Sequence, residues 1–445
     1  MPRSSPRRRA GVWRLVLAPA VAVAIAGCTA AGSNASGSTS LATLRVGVVL
    51  PLSGMPADLA GQERLGIQVA ADLVNSSGGL QGRQIALDVR DLSDASAAPA
   101  VVASLKSEGA PIVLGSYASD LSMSVSTATS NAGLVYWESG AVADQLTGRG
   151  LPLVFRVGAD GARLGSNSAT FASTQLAPLL GKTASNLRVT IVAANDDYAE
   201  SVADAAQAGV ASEGSILAAR IDYNLYLPDW PTVLSKLVAS RPDVVILAAH
   251  ILDGEAFREA MIAANVHVGA LIGSTMAQCV TDFGEELGPD AVGVFASDRP
   301  TGGFNPNVLT AQARSVYEKL AAAWRAAGNI EEPSEEALAG FTAAWALFDD
   351  VLPHASALDP QSIAAAARAV DLPEGSLPNG SGLRFSSDPN RLGQNELAAA
   401  VVWQWRAGSA ATAESAGKIA AVSNTVWPPQ FATTAIDASL VPLPR

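Results

Sequence analysis

This 445-residue chain is poor in cysteine, histidine, aromatic residues and positive charge. Its two cysteines, Cys28 and Cys279, exclude a disulfide-stapled mini-domain and any cysteine-based zinc ribbon. Three histidines (His250, His267 and His354) leave little room for a metal site, and no cofactor motif stands out. With 29 basic against 41 acidic side chains and a net charge of −12, the chain lacks the basic surface that displaces counterions from nucleic acid. Long apolar runs are scarce too, although 49% of the residues are hydrophobic. Alanines spread along the chain supply the largest share of that fraction, and one segment alone is continuously apolar. What is present is length, enough for two or three domains and a sizeable core.

The apolar segment opens the chain. Met1–Arg14 carries five arginines and no acid, and Leu15–Gly27 follows as 13 uncharged, almost wholly apolar residues. That run is too short for a hydrocarbon core of ~30 Å, which takes about 20 helical residues to cross. A charged start, a short apolar run and small residues before a cut site describe an export signal. The run ends Ile25-Ala26-Gly27-Cys28, which resembles the bacterial lipobox. The resemblance implies that residues 1–28 form a lipoprotein signal peptide whose Cys28 is lipidated and anchors the protein to the cell membrane, outside the cytoplasm. An ordinary secretory signal is the alternative, and Arg7-Arg8-Arg9 echoes a twin-arginine signal only weakly. Loss of the leader leaves 24 basic against 41 acidic residues, a net charge of −17, and Cys279 as the sole unmodified thiol. Residues 29–43 (TAAGSNASGSTSLAT) read as a flexible tether spanning roughly 20 Å.

From Leu44 onward strand and helix alternate. Leu44–Leu50 is an apolar run of the kind buried on both faces of a parallel sheet. Gly61–Val74 places Leu65, Val69, Leu73 and Val74 on one helical face. Strands at 84–89, 111–114 and 134–137 alternate with helices at 97–105 and 121–129, which predicts a parallel sheet with helices on both faces. The rhythm restarts after Val154–Val157, with strands at 188–194, 216–221, 243–248 and 270–273 and helices between them. Two αβ units of similar architecture follow, without a close sequence repeat. The region 292–445 differs: long helices at 309–327, 335–351 and 361–369, then strands of antiparallel character at 383–385 and 400–406. Such a segment makes a poor domain alone and is expected to be shared between the lobes.

No catalytic constellation is present. Gly181-Lys182-Thr183 ends like a phosphate-binding loop, but Leu176 stands where that loop needs its first glycine, so it reads as a helix C-terminus. Neither G-x-G-x-x-G after a strand nor G-x-S-x-G occurs, and Ser415-Ala416-Gly417-Lys418 lies in the wrong order for a serine acylating enzyme. Asp349-Asp350 and Glu335-Glu336 read as solvated helix faces, and His250, at a strand end, has no evident partner. Strand ends in open α/β sheets are where ligands bind. Here they read Pro51-Leu52-Ser53-Gly54, Gly115–Ser119, Glu138–Ala141, Asn195–Tyr198, Ala249-His250 and Gly273–Thr275, rich in hydroxyls and glycine. Each could be an N-cap; six together favour a small polar ligand.

From Leu44 to about Arg406 the chain resembles the type I periplasmic-type solute-binding proteins of ABC importers, in the branched-chain amino-acid receptor branch. Pro51–Asp91 carries the strongest motif, and Gly115–Ser126, Leu146–Gly150, Val154–Asp160, Asp196–Ser201, Leu377–Asn395 and Val401–Gly408 follow in family order. The resemblance implies two doubly wound parallel-sheet lobes joined by three hinge crossings, lobe 1 being 44–157 with 299–399 and lobe 2 being 158–298 with 400–445. It also implies a non-enzymatic, monomeric protein that closes on a small polar metabolite and delivers it to the transmembrane subunits of an ABC permease. A ligand-sensing lipoprotein that signals to a membrane partner is the alternative. By the same resemblance Ser119 contacts a ligand carboxylate, Gly140 and Val142 lie in a contacting loop, Tyr198 and His250 are aromatic contacts, and Thr275 stands where an acid holds the ligand's ammonium. Tyr117, Glu138 and Ser139 flank these positions. Val142 lacks the family's threonine hydroxyl and Thr275 lacks its acid, so an ammonium ligand would need Glu138 or Asp197 as counter-charge.

Overall fold

A computed structural model describes residues 42–278, 281–329, 332–408, 414–415 and 418–444. The leader with Cys28, almost all of the expected tether and Cys279 lie outside these residues. Thr43, read as tether, is the first residue of a strand.

The first half runs β1 (Thr43–Leu50), α1 (Ala57–Ser76), β2 (Gln84–Asp91), α2 (Ala98–Ser107), β3 (Ile112–Gly115), α3 (Ser119–Ala132), β4 (Val135–Glu138), α4 (Gln145–Gly148) and β5 (Val154–Arg156). Its five strands form one parallel sheet in the order β2-β1-β3-β4-β5. Then come α5 (Gly161–Phe171), a π-helical turn leading into α6 (Ala177–Leu179), β6 (Arg188–Ala194), α7 (Asp197–Ser212), β7 (Ile216–Tyr223), α8 (Trp230–Ser240), β8 (Val244–Ala248), α9 (Ile251–Ala263), β9 (Ala270–Ser274), α10 (Thr281–Leu287) and β10 (Phe295–Asp298). The remainder is α11 (Ala311–Ala326), α12 (Glu335–Trp345), α13 (Pro360–Ala369), β11 (Asp371–Leu372), β12 (Leu383–Arg384), β13 (Val401–Arg406), β14 (Glu414–Ser415), β15 (Lys418–Ile419) and β16 (Val422–Trp427). The second sheet has seven strands in the order β16-β13-β10-β9-β8-β6-β7, all running the same way except β13, which is antiparallel to both its neighbours.

Every residue of β3, β4 and β8 is buried, as strands covered on both faces require, and only Glu138 at the end of β4 interrupts their apolar and glycine runs. Aspartates start the helices that leave several strands: Asp160, Asp196 and Asp229 each accept a first-turn N–H of α5, α7 and α8. The chain passes between the sheets three times, after β5, after β10 and before β13. At these passages Asn395 donates through its side chain to the carbonyl of Val157 (2.9 Å) and Gln394 to that of Gly158 (2.9 Å).

The third region packs its helices on the first sheet's side. α1 and α12 approach so closely that a Cβ on Gly66 would lie 2.0 Å from the Ala337 carbonyl oxygen, and one on Gly340 2.3 Å from that of Glu63. The buried face of α1 is therefore built from Ala60, Glu63, Gly66, Ile67, Ala70 and Ala71 beside Val69 and Val74, whereas Leu65 and Leu73 are only half-buried. Two further expectations are corrected. Glu335 and Glu336 are buried rather than solvated, because Arg299 meets Glu335 at the start of α12. β16, which closes the second sheet, was not expected, because its sequence VSNTVW places three polar residues in a row and shows neither an apolar run nor alternation. Among the described residues no helix is long and apolar enough to cross a membrane.

Candidate functional site

The expected ligand residues gather at the carboxyl ends of the two sheets, where the lobes meet. On the first side, β3 ends at Gly115 and the chain turns through Tyr117, at φ 70°, into α3. Tyr117 and Ser119 are 7% and 8% exposed. The Ser119 hydroxyl accepts the N–H of Ala143 (3.2 Å), tying the start of α3 to the loop after β4.

That loop is held from within. The Glu138 carboxylate, fully buried, folds back over it: one oxygen accepts the N–H groups of Ser139 (3.0 Å), Gly140 (2.6 Å) and Ala141 (2.8 Å). The other accepts the Tyr136 hydroxyl (2.6 Å) and the N–H of Ser116 (3.3 Å). Burial beside that carboxylate holds the Tyr136 hydroxyl far above the usual tyrosine range, so it remains a donor. On the other face of the loop Arg299 donates to the carbonyls of Ser139 (3.2 Å) and Gly140 (2.7 Å) and pairs with Glu335 (2.5 Å). Burial disfavours that guanidinium's charge, but Glu335, Asp298 and Glu63 outweigh it and raise its pKa. The Ser139 hydroxyl donates to Glu63 (2.5 Å), whose carboxyl is pushed up to about 8 by burial and is therefore mostly protonated at neutral pH. Gly140 has no room for a side chain: a Cβ would lie 2.6 Å from Glu63 Oε2 and 2.7 Å from the Tyr117 Cα.

On the second side, Asp196 caps α7 through the N–H of Ala199 (3.1 Å) and meets His250 Nε2 at 3.2 Å. The His250 ring lies 4.7 Å from that of Tyr198, and its backbone N–H donates to Asp253 (3.0 Å). Burial disfavours the imidazolium, but the bond to Asp196 prevails and raises the His250 pKa. The Tyr198 and Thr275 hydroxyls are hydrogen-bonded to each other, and that of Tyr223 donates to Asp253. Thr275 is fully buried at φ 69° and donates its N–H to the Ser297 carbonyl (2.7 Å). The sides touch through Ser201 of α7, whose hydroxyl accepts the N–H of Asp144 (3.0 Å) and reaches the Gln145 side chain (3.0 Å).

The structure thus sorts the expected residues. Tyr117 and Ser119 stand on one side of the seam and Tyr198, His250 and Thr275 on the other. Glu138, Ser139 and Gly140 form the loop's internal frame, the N–H and carbonyl of Gly140 both being engaged. Val142 is 2% exposed and packs in the core. The acids considered as counter-charges are placed otherwise, Glu138 being fully engaged and Asp197 exposed at the start of α7. His250, read as lacking partners, has Asp196 and Tyr198. Gly181 ends the α6 helix at φ 68° and Lys182 pairs with Asp243 (2.6 Å), so that segment is a helix terminus. Sequence reasoning missed Glu63, Arg299 and Ser201. Glu63 left a trace, an acid on the small-residue stripe of α1, and Ser201 ends the Asp196–Ser201 motif; Arg299 left none.

Comparison with known proteins fits this arrangement. The model of the periplasmic binding protein family matches residues 43–410, and the chain belongs to that family of extracytoplasmic binding proteins, which are not enzymes. Its relatives put it in the branched-chain amino-acid receptor branch. It is 26% identical over 401 residues to Leu/Ile/Val-binding protein homolog 8 of Brucella suis, covering 90% of this chain and 95% of that protein. The leucine-binding protein LivK of Thermotoga maritima shares the fold, with a TM-score of 0.68 at 18% identity over 82% of this chain and 97% of that one. So does a solute-binding protein of an ABC transporter from R. palustris in complex with benzoate, with a TM-score of 0.65 at 18% identity over 89% and 98% of the two chains.

Proposed function

We propose that this protein is an extracytoplasmic solute-binding lipoprotein, anchored through Cys28, that captures a small polar metabolite between its lobes and delivers it to the transmembrane subunits of an ABC permease. Lobe 1 comprises 44–157 and 299–399, lobe 2 comprises 158–298 and 400–445, and the protein works as a monomer. The observation that supports the reading is that hydroxyl and aromatic residues gather at the carboxyl ends of both sheets, Tyr117 and Ser119 at the start of α3 and Tyr198, His250 and Thr275 on the other side. Unbonded N–H groups in the first turn of α3, whose N-cap Ala118 has no side chain to fill them, suit a carboxylate or other oxygen. Ligand contacts made only when both lobes engage favour the closed form by their differential affinity.

A thermal-shift screen of the full-length protein, unfolded and refolded to strip bound solute, tests this. A true ligand at 100 times its Kd adds ~2.7 kcal/mol, a shift of several degrees. A panel of amino acids, amides, carboxylates, aromatic acids and sugars that moves nothing, with no small molecule released from the unstripped protein, would refute solute capture.

A further inference from the structure

We infer that the solute held between the lobes carries no ammonium group: it is an amine-free, oxygen-bearing small molecule, such as a hydroxy, oxo or aromatic carboxylic acid. This rests on the solute-binding reading and narrows it. Burying an ammonium requires acceptors and a counter-charge, and without them its desolvation is not repaid. Among the described residues, the carboxylates of Glu138, Asp196 and Asp253 at the seam are already engaged. Glu138 receives five protein donors. Asp196 is shared between the N–H of Ala199 and His250, and Asp253 between the Tyr223 hydroxyl and the N–H of His250. Glu63 lies against the backbone of Gly140 and bonds to Ser139 through one oxygen; its other oxygen has no hydrogen-bond partner among the described residues, and burial keeps the carboxyl mostly protonated rather than anionic. Asp120 and Asp197 are exposed in the first turns of α3 and α7, and Asp120 acts on the His250 imidazole.

The loop carbonyls are engaged as well. Those of Ser139 and Gly140 point to Arg299, so a buried guanidinium stands behind the loop where an ammonium would need negative charge. The seam offers hydroxyls instead. Ser119 accepts an N–H from Ala143 and so keeps its own proton for an oxygen acceptor, and the first-turn N–H groups of α3 are donors of the same kind.

The test uses matched pairs: leucine with 2-hydroxy-4-methylpentanoate, and phenylalanine with 3-phenyllactate, with benzoate added. Each is titrated by calorimetry and thermal shift at pH 7 into stripped full-length protein, and solutes released from unstripped protein are identified by mass spectrometry. The expected result is an amine-free member bound at least ~100-fold more tightly than its amino twin, or a released solute without a basic nitrogen. An amino twin that binds equally well, or a released solute with a basic nitrogen, overturns the inference and leaves the receptor reading intact. No binding by any compound together with no released solute removes both.

Discussion

On the lobe 1 side of the seam a buried guanidinium and the carboxyls of Glu63, Glu138 and Glu335 hold one loop from both faces, while on the lobe 2 side a hydroxyl pair and a half-exposed imidazole–carboxylate pair line the cleft. Apart from the Ser119 hydroxyl and the first turn of α3, the first side has used its polar groups on itself. The second presents its groups to the cleft. In such a division, damage to lobe 1 should appear first as lost stability, and damage to lobe 2 as lost affinity.

The largest effect that would break this contrast is at Arg299. Replacing it by methionine leaves Glu335 and Asp298 buried without their cation, a loss of about 3–5 kcal/mol in urea unfolding. Arg299→Lys should lose less, since it keeps the charge but not the fork that spans two carbonyls and Glu335. A cost below about 1 kcal/mol for Arg299→Met would show that the loop is not held by this ion cluster.

Next comes pH. The native Glu63 carboxyl, at about 8, stands above its ordinary value near 4.5 because burial favours the protonated form. Between these values the unfolded chain has released a proton that the native protein retains. Its contribution is therefore full below about pH 4.5 and is lost as pH rises through about 8, at up to ~1.4 kcal/mol per pH unit. Midpoints measured from pH 5 to pH 8.5 should fall with rising pH, and Glu63→Gln, which mimics the protonated form, should flatten that slope. An unchanged slope in the variant would assign the pH dependence elsewhere.

A third expectation concerns lobe 2. Tyr198→Phe keeps the ring against His250 and removes the hydroxyl bonded to Thr275, so affinity for whichever probe binds should fall roughly fivefold to tenfold, as loss of one hydrogen bond of ~1 kcal/mol implies. Stability should fall by no more than about 1–3 kcal/mol, the cost of leaving the buried Thr275 hydroxyl without this partner. A large stability loss with intact affinity would reverse the contrast between the lobes.

The sequence made the two-sheet architecture legible because parallel strands buried on both faces are short apolar runs, and the site's position followed from where such strands end. The hydroxyl residues at those ends could be read, but their division into contact and frame could not. Glu138 and Gly140 look like cleft residues in one dimension, and only the fold brings Arg299, 159 residues after Gly140, onto its carbonyl. Glu335 was misread for the same reason, since a charged helix start looks solvated until a distant cation is packed against it. β16 was missed because Val422–Trp427 carries three consecutive polar residues and neither period of a strand pattern, and only its antiparallel pairing with β13 makes it a strand.

The smallest expected effect tests whether the lobes communicate at all. Ser201 belongs to lobe 2, yet its hydroxyl accepts the N–H of Asp144 and reaches Gln145, both on the lobe 1 side. These contacts cross between the lobes, so they add to the stability of this arrangement of the lobes and nothing to that of either lobe alone. Ser201→Ala should therefore leave the unfolding midpoint of the stripped protein within about 1–2 °C, because a half-buried neutral hydrogen bond contributes only ~0.5–1.5 kcal/mol and the hydroxyl also bonds within α7. Its effect should fall on the lifetime of the complex: a probe ligand should dissociate about twofold to fivefold faster in stopped-flow measurements, with its association rate unchanged. A slower association with unaltered dissociation would mean that Ser201 shapes the open form, and the seam would then not be a latch.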